Sequence, residues 1–136
     1  MKRSEPRWPS RHVVEVIHRN QLNEHGGLPG ARDGAALESA LARARQRWAY
    51  DESSDVAALT AAYGYGLARN HSFNDGNKRI ALMTMDLFAG LNGYAIDTSE
   101  EDVVVTMLVL AAGELTEPVL AGWLRGCLVR TVGRGG

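Results

Sequence analysis

One cysteine, Cys127, is all that the chain contains, so no disulfide framework can form within it. Cys127 stands among Trp123, Leu124 and Leu128 on a helical pattern, which suits a buried small hydrophobe better than a redox or metal residue. Nowhere do 18 uninterrupted apolar residues occur, which argues against a transmembrane span. Neither sign of charge is in excess, the formal net charge being -1, and a protein that wraps nucleic acid usually needs a clear basic surplus. The segment from Met1 to Pro9 is basic but lacks the apolar stretch of a secretory signal, so a cytoplasmic, reducing location is expected. No internal repeat and no long linker appear either. What remains, 136 residues with 45% hydrophobic and 23% charged content, reads as one soluble domain over residues 1–136 with a single core. Residues 1–8 and 132–136 are polar or glycine-rich and are expected to be flexible ends.

The periodicity between those ends is helical almost throughout, and it predicts an all-α fold of six helices. Pro9-Ser10 opens a first helix with Val13, Val14, Ile17 and Leu22 inward, and Gly26-Gly27-Leu28-Pro29-Gly30 ends it. A second helix over about residues 33–47 carries Ala36, Leu37, Ala40, Leu41 and Ala44 on one face. Residues 48–54 break the pattern. Ser54 or Asp55 caps a third helix to about residue 70, with Leu59, Ala62, Tyr63 and Leu67 inward. In the fourth, residues 77–92, apolar side chains spread round the whole circumference, as in a central helix buried on all sides. Asn92-Gly93 stops it, and Tyr94-Ala95-Ile96 forms an extended link. Thr98 or Ser99 starts a fifth helix to about residue 112, and Thr116-Glu117-Pro118 starts a sixth to about residue 129.

The densest chemistry is His71-Ser72-Phe73-Asn74-Asp75-Gly76-Asn77-Lys78-Arg79, directly before the fourth helix. Glycine permits a tight turn at a helix start, where unpaired N–H groups and the positive end of the dipole attract anions. Lys78 and Arg79 supply charge-assisted hydrogen bonds to phosphate oxygens, and at a first turn such cations are misplaced unless an anion joins them. Asp75 would repel a bare phosphate, which suggests a divalent cation between the two. His71 can serve as a base at neutral pH, although a lone loop histidine more often caps a helix. A calcium loop over the same residues fails on spacing. His12, His18 and His25 lack zinc spacing, and Gly64 and Gly66 suit helix packing better than a dinucleotide fingerprint.

This nine-residue stretch resembles the signature of the Fic/Doc family, and Lys78, where adenylylating members usually have glycine, is similar to the Doc branch of death-on-curing toxins. Gly26-Gly27-Leu28-Pro29-Gly30 with Arg32-Asp33 also resembles a loop of that branch. The resemblance implies a compact six-helix fold with the signature between the third and fourth helices. It implies His71 as general base, Phe73 as the anchor of the loop, and Asp75 as the ligand of a nucleotide's Mg²⁺. Gly76, Asn77, Lys78 and Arg79 would hold the phosphates. It also implies an inhibitory antitoxin as partner.

Two departures bear on the reaction. Adenylylating members carry a second arginine at what is position 82, and this chain has Leu82; Lys78 is bulkier than the glycine it replaces. Both are similar to the Doc kinase pattern, which implies transfer of the γ-phosphoryl group of ATP to a protein Ser or Thr, elongation factor Tu being the first target to try. Two alternatives stay open: attachment of AMP, and a catalytically weak module that binds an antitoxin and, only with it, operator DNA. Arg43, Arg45 and Arg47 are read as solvated charges on different sides of a helix. The analogy makes the neighbouring residues 48–54 a flap over the site.

Overall fold

The computed structural model describes residues 4–25, 34–69 and 77–131, with the side chains of 21–25 left aside. Among the described residues six helices follow one another: α1 (Arg11–His25), α2 (Gly34–Tyr50), α3 (Val56–Arg69), α4 (Asn77–Leu91), α5 (Glu100–Ala111) and α6 (Glu117–Cys127). Two short strands, β1 (Tyr94–Ile96) and β2 (Leu128–Arg130), complete the order and pair antiparallel, Ala95 opposite Val129. The fold is therefore all-α with a minimal two-stranded clasp.

Local chemistry sets the helix starts. Ser10 Oγ accepts from the Val13 N–H at 3.1 Å, Asp55 Oδ1 from Ala58 at 2.9 Å, Ser99 Oγ from Asp102 at 3.1 Å, and Thr116 Oγ1 from Val119 at 3.3 Å. Each bond satisfies a donor that the helix itself cannot, and is worth about 1 kcal/mol. After α4, Gly93 takes φ +85°, a conformation that side-chain-bearing residues rarely adopt.

The centre of the molecule is α3, not α4. Eleven of the fourteen residues of α3 are buried, and α2, α4, α5 and α6 all pack against it. In α4 the buried set is Ile80, Ala81, Thr84, Met85, Phe88 and Ala89, whereas Lys78, Arg79, Asp86, Gly90 and Leu91 are exposed. The all-round hydrophobicity of α4 thus misleads, because Leu82, Met83 and Leu87 are only half-covered. Small residues let α3 take the middle. A Cβ on Gly66 would stand 3.3 Å from Ala40 Cα of α2, and one on Gly64 would collide with the Met85 sulfur of α4. Both glycines are packing residues, as expected from sequence.

A main core gathers Val14, Leu37, Leu67, Ile80, Met85, Leu110, Leu120 and Leu124. A second, aromatic one surrounds Phe88: Tyr63 lies 5.1 Å away and Trp8 5.7 Å, with Trp48 6.4 Å from Trp8. Trp48 belongs to α2, which runs on to Tyr50 instead of ending near residue 47, because this cluster holds its last turn. Arg45 lies over the Trp8 ring at 5.4 Å. Trp8 and Arg7, read from sequence as part of a loose end, dock here. The Arg7 N–H donates to Asn92 Oδ1 at 2.9 Å, and Asn92 Nδ2 donates back to the Arg7 carbonyl at 3.0 Å.

Three other expectations change. Val13 is 40% exposed, and Val14 alone of that pair enters the core. The sixth helix stops at Cys127, and residues 128–130 become β2, with the Thr131 N–H donating to the Gly93 carbonyl at 2.9 Å. Arg43 and Arg47 are not solvated charges on different sides. Four residues apart, they share one face of α2 and converge on the buried carboxylate of Glu117, at 2.7 and 3.2 Å.

Candidate active site

The candidate site spans the connection from α3 to α4. His71, Phe73, Asp75 and Gly76 lie outside the described residues, as does the 26–33 loop that also resembles the Doc branch. Asn77, Lys78 and Arg79 form the first turn of α4. Asn77 is half-buried and engaged, and Lys78 and Arg79 are exposed. That turn carries no acidic residue, and neither cation forms an ion pair with a described residue. Among the described residues nothing offsets these two positive charges at the positive end of the helix dipole, an arrangement that favours an anion.

What fixes the turn lies directly behind it. Ile80 and Ala81 are fully buried against the main core, and Met85 interlocks with Gly64 on α3. The first turn of α4 is therefore held rigidly on the central helix. Leu82 is half-buried and packs on the main core. Position 82, where the resemblance to adenylylating members would call for a second cation, thus carries a partly covered apolar side chain. Thr84, one turn deeper, is fully buried, and its Oγ1 has no hydrogen-bond partner among the described residues.

On the other flank, Arg69 ends α3 two residues before His71. Its guanidinium lies over the Tyr65 ring at 5.6 Å, the ring that Arg43 also covers at 5.2 Å. It also reaches the α5–α6 turn, where a Cβ on Gly113 (φ +83°) would stand 3.2 Å from it. Sequence reading passed over Arg69. The Tyr65/Arg69 spacing of four was a readable signal, whereas the approach of Arg43 and Gly113 was not.

Residues 48–54 do not form a flap here. They join α2 to the start of α3, and the fourteen-residue α3 separates them from the His71 end by about 20 Å at 1.5 Å per residue. The turn is closed on itself: Asp51 Oδ1 accepts from Ser53 N–H and Oγ at 3.0 and 2.6 Å.

Among the described residues no group of three or more His, Cys, Asp and Glu could hold a metal ion, and no helix is long and apolar enough to cross a membrane. The Cys127 thiol is pushed up by desolvation, as suits a packing residue.

The sequence model of the Fic/DOC family matches residues 8–89, which run from the docked Trp8 through nearly all of α4. The chain is 37% identical over 110 residues, 81% of its own length and 86% of the relative's, to the "Protein kinase doc" of Escherichia phage P1. With the signature stretch placed between a buried central helix and an anion-ready helix start, the chain belongs to the Fic/DOC family.

Proposed function

We propose that this chain is a Doc-like toxin of a toxin-antitoxin module that transfers the γ-phosphoryl group of ATP to a Ser or Thr hydroxyl of a target protein, elongation factor Tu first, and so blocks translation. The observation that carries this reading is the first turn of α4: Lys78 and Arg79 are exposed and unpaired among the described residues, and the half-buried Leu82 packs against the main core. The identity to the phage protein kinase supports it. In this reading His71 accepts the proton of the attacking hydroxyl. The hydroxyl oxygen forms a bond to the γ-phosphorus as the bond to the β–γ bridging oxygen breaks, and ADP leaves with that electron pair. Gly76 and Asn77 offer backbone and side-chain donors to the phosphates, and Lys78 and Arg79 neutralise charge on their oxygens. Phe73 anchors the loop. The described flank fits the phosphate end of a nucleotide. Mg²⁺, held by Asp75, would neutralise further phosphate charge when bound.

The expected setting is cytoplasmic. An antitoxin protein restrains the activity, and contact with operator DNA comes only through that partner. The test is intact mass spectrometry of elongation factor Tu, then of lysate proteins, after incubation with the protein, Mg²⁺ and ATP. A gain of about 80 Da that disappears in His71→Ala is the expected result; a gain of about 329 Da would reassign the chemistry to AMP transfer. No gain in either case, from a folded protein, would sink the enzyme reading.

A further inference from the structure

Charge is unevenly divided along this chain. Residues 93–124 hold six of the sixteen carboxylates and none of the fifteen Lys and Arg. Two of the six are used internally: Glu117 by Arg43 and Arg47, and Asp102 by the Trp123 indole N–H at 2.8 Å and the Thr98 hydroxyl at 2.9 Å. The other four, Asp97, Glu100, Glu101 and Glu114, are exposed and form no ion pair with a described residue. Between Glu101 and Glu114 runs an apolar face. Val104, Val105 and Leu108 of α5 are 52%, 58% and 52% exposed, and Ala112 continues the same stripe one turn on. The opposite face of α5 already fills the core with Met107 and Leu110. A helix that buries one side and leaves three large aliphatics open on the other presents a surface that water solvates poorly.

We infer that this outer face of α5 is a docking surface for a basic amphipathic helix of a partner protein. Its aliphatic stripe would seat on Val104, Val105 and Leu108, and its Lys or Arg residues would reach Glu100, Glu101 and Glu114. Charge complementarity selects this occupant. A second copy docking through the same face would set unpaired carboxylates against one another, because α5 offers no cation to receive them. The spacing also fits: the twelve residues of α5 span about 18 Å, some three turns of a bound helix. The inference is independent of the phosphotransfer reading.

The probe is a synthetic helical peptide of about 14 residues, leucine on one face and lysine on the other, with a glutamate-for-lysine twin. Both are titrated against the full chain by fluorescence anisotropy at low and at physiological salt. The lysine peptide is expected to bind, more tightly at low salt, and the glutamate twin not to bind. Val105→Ser with Leu108→Ser should weaken binding about tenfold or more, and Glu101→Gln with Glu114→Gln should weaken it and flatten its salt dependence. Circular dichroism checks that each exposed-site variant keeps its helices, and Val13→Ser, on another face, should bind like the parent. Equal binding by all variants, or by the glutamate twin, would overturn the proposal. So would a chain that ignores the peptide but sediments as a dimer, broken by the Val105 and Leu108 changes.

Discussion

Gly64→Ala tests whether the contact of α3 with α4 sets the position of the candidate site. In a helix interior the exchange gains about 1 kcal/mol, since alanine loses less backbone freedom than glycine. Here the new methyl would collide with Met85 Sδ and lie 3.1 Å from Met85 Cγ. Met85 is 0% exposed, so its sulfur can yield only by repacking within the core. Overpacking of this kind costs about 1–3 kcal/mol, so the net change is a destabilisation of about 1 kcal/mol. The internal standard is Gly122→Ala on α6, where nothing stands within 4 Å of the added atom. There only the gain operates. Urea unfolding of both variants should therefore differ by about 2 kcal/mol, which is about 6–10 °C in melting temperature for a domain of this size. Met85→Ala opens a cavity and is costly by itself, but combined with Gly64→Ala it should cost less than the two changes added, because the new methyl enters the vacated space. If Gly64→Ala proves as stable as Gly122→Ala, or the double variant is strictly additive, the tight α3–α4 contact does not govern stability.

Two carboxylates should respond to pH in opposite directions. The hydrogen bond from Arg125 holds Asp55 below its usual 3.8, so its contribution is complete above that value and fades as pH falls further; Asp55→Asn should flatten the acid limb of a stability–pH curve. Desolvation by its surroundings raises Asp86 above 3.8 although the residue reaches the surface, so stability is lost as pH rises from 3.8 through the raised value. Asp86→Asn should be more stable than the parent at pH 7 but not at pH 3, by thermal melts at both. Glu117→Ala leaves Arg43 and Arg47 facing each other without their shared partner. With both arginines part-exposed, a loss of about 1–3 kcal/mol is expected by denaturation, largely recovered if Arg43→Ala and Arg47→Ala are added. Trp8→Ala should cost about 2 kcal/mol and alter the fluorescence of Trp48 across the cluster; unchanged melting would mean that residues 4–8 do not stabilise the fold.

Local signals were legible where one residue answers one helix. Asp55, Ser99 and Thr116 were readable as caps because capping is a bond over three residues, and Gly93 because its backbone conformation leaves few choices. Long-range partnerships were not. Nothing near Glu117 in sequence names Arg43 and Arg47, more than sixty residues away, and their charges looked solvated until α2 and α6 were set side by side. The extension of α2 to Tyr50 and the ending of α6 at β2 had the same origin: an aromatic cluster and a strand partner that only the assembled fold supplies. Hydrophobic content likewise pointed to α4 as the centre, whereas alanines and glycines, weak signals on any hydropathy scale, put α3 there. At the site, the motif from His71 to Arg79 was conspicuous in the sequence. What the fold added is the packing of the half-buried Leu82 against the main core and the placement of Arg69 beside Tyr65.

The Asn92–Gly93 turn receives both ends of the described chain, Arg7 through Asn92 and Thr131 through the Gly93 carbonyl. Arg7 and Thr131 are therefore held at one corner of the described fold. The fifteen residues of α4 set that corner about 22 Å from Lys78. A tether or reporter joined at either side should leave access to the phosphate-facing turn unchanged. A short linker closing the two ends would allow new termini to be opened in the Asp51–Ser54 turn, a circular permutant in which the order of the helices changes while their contacts do not.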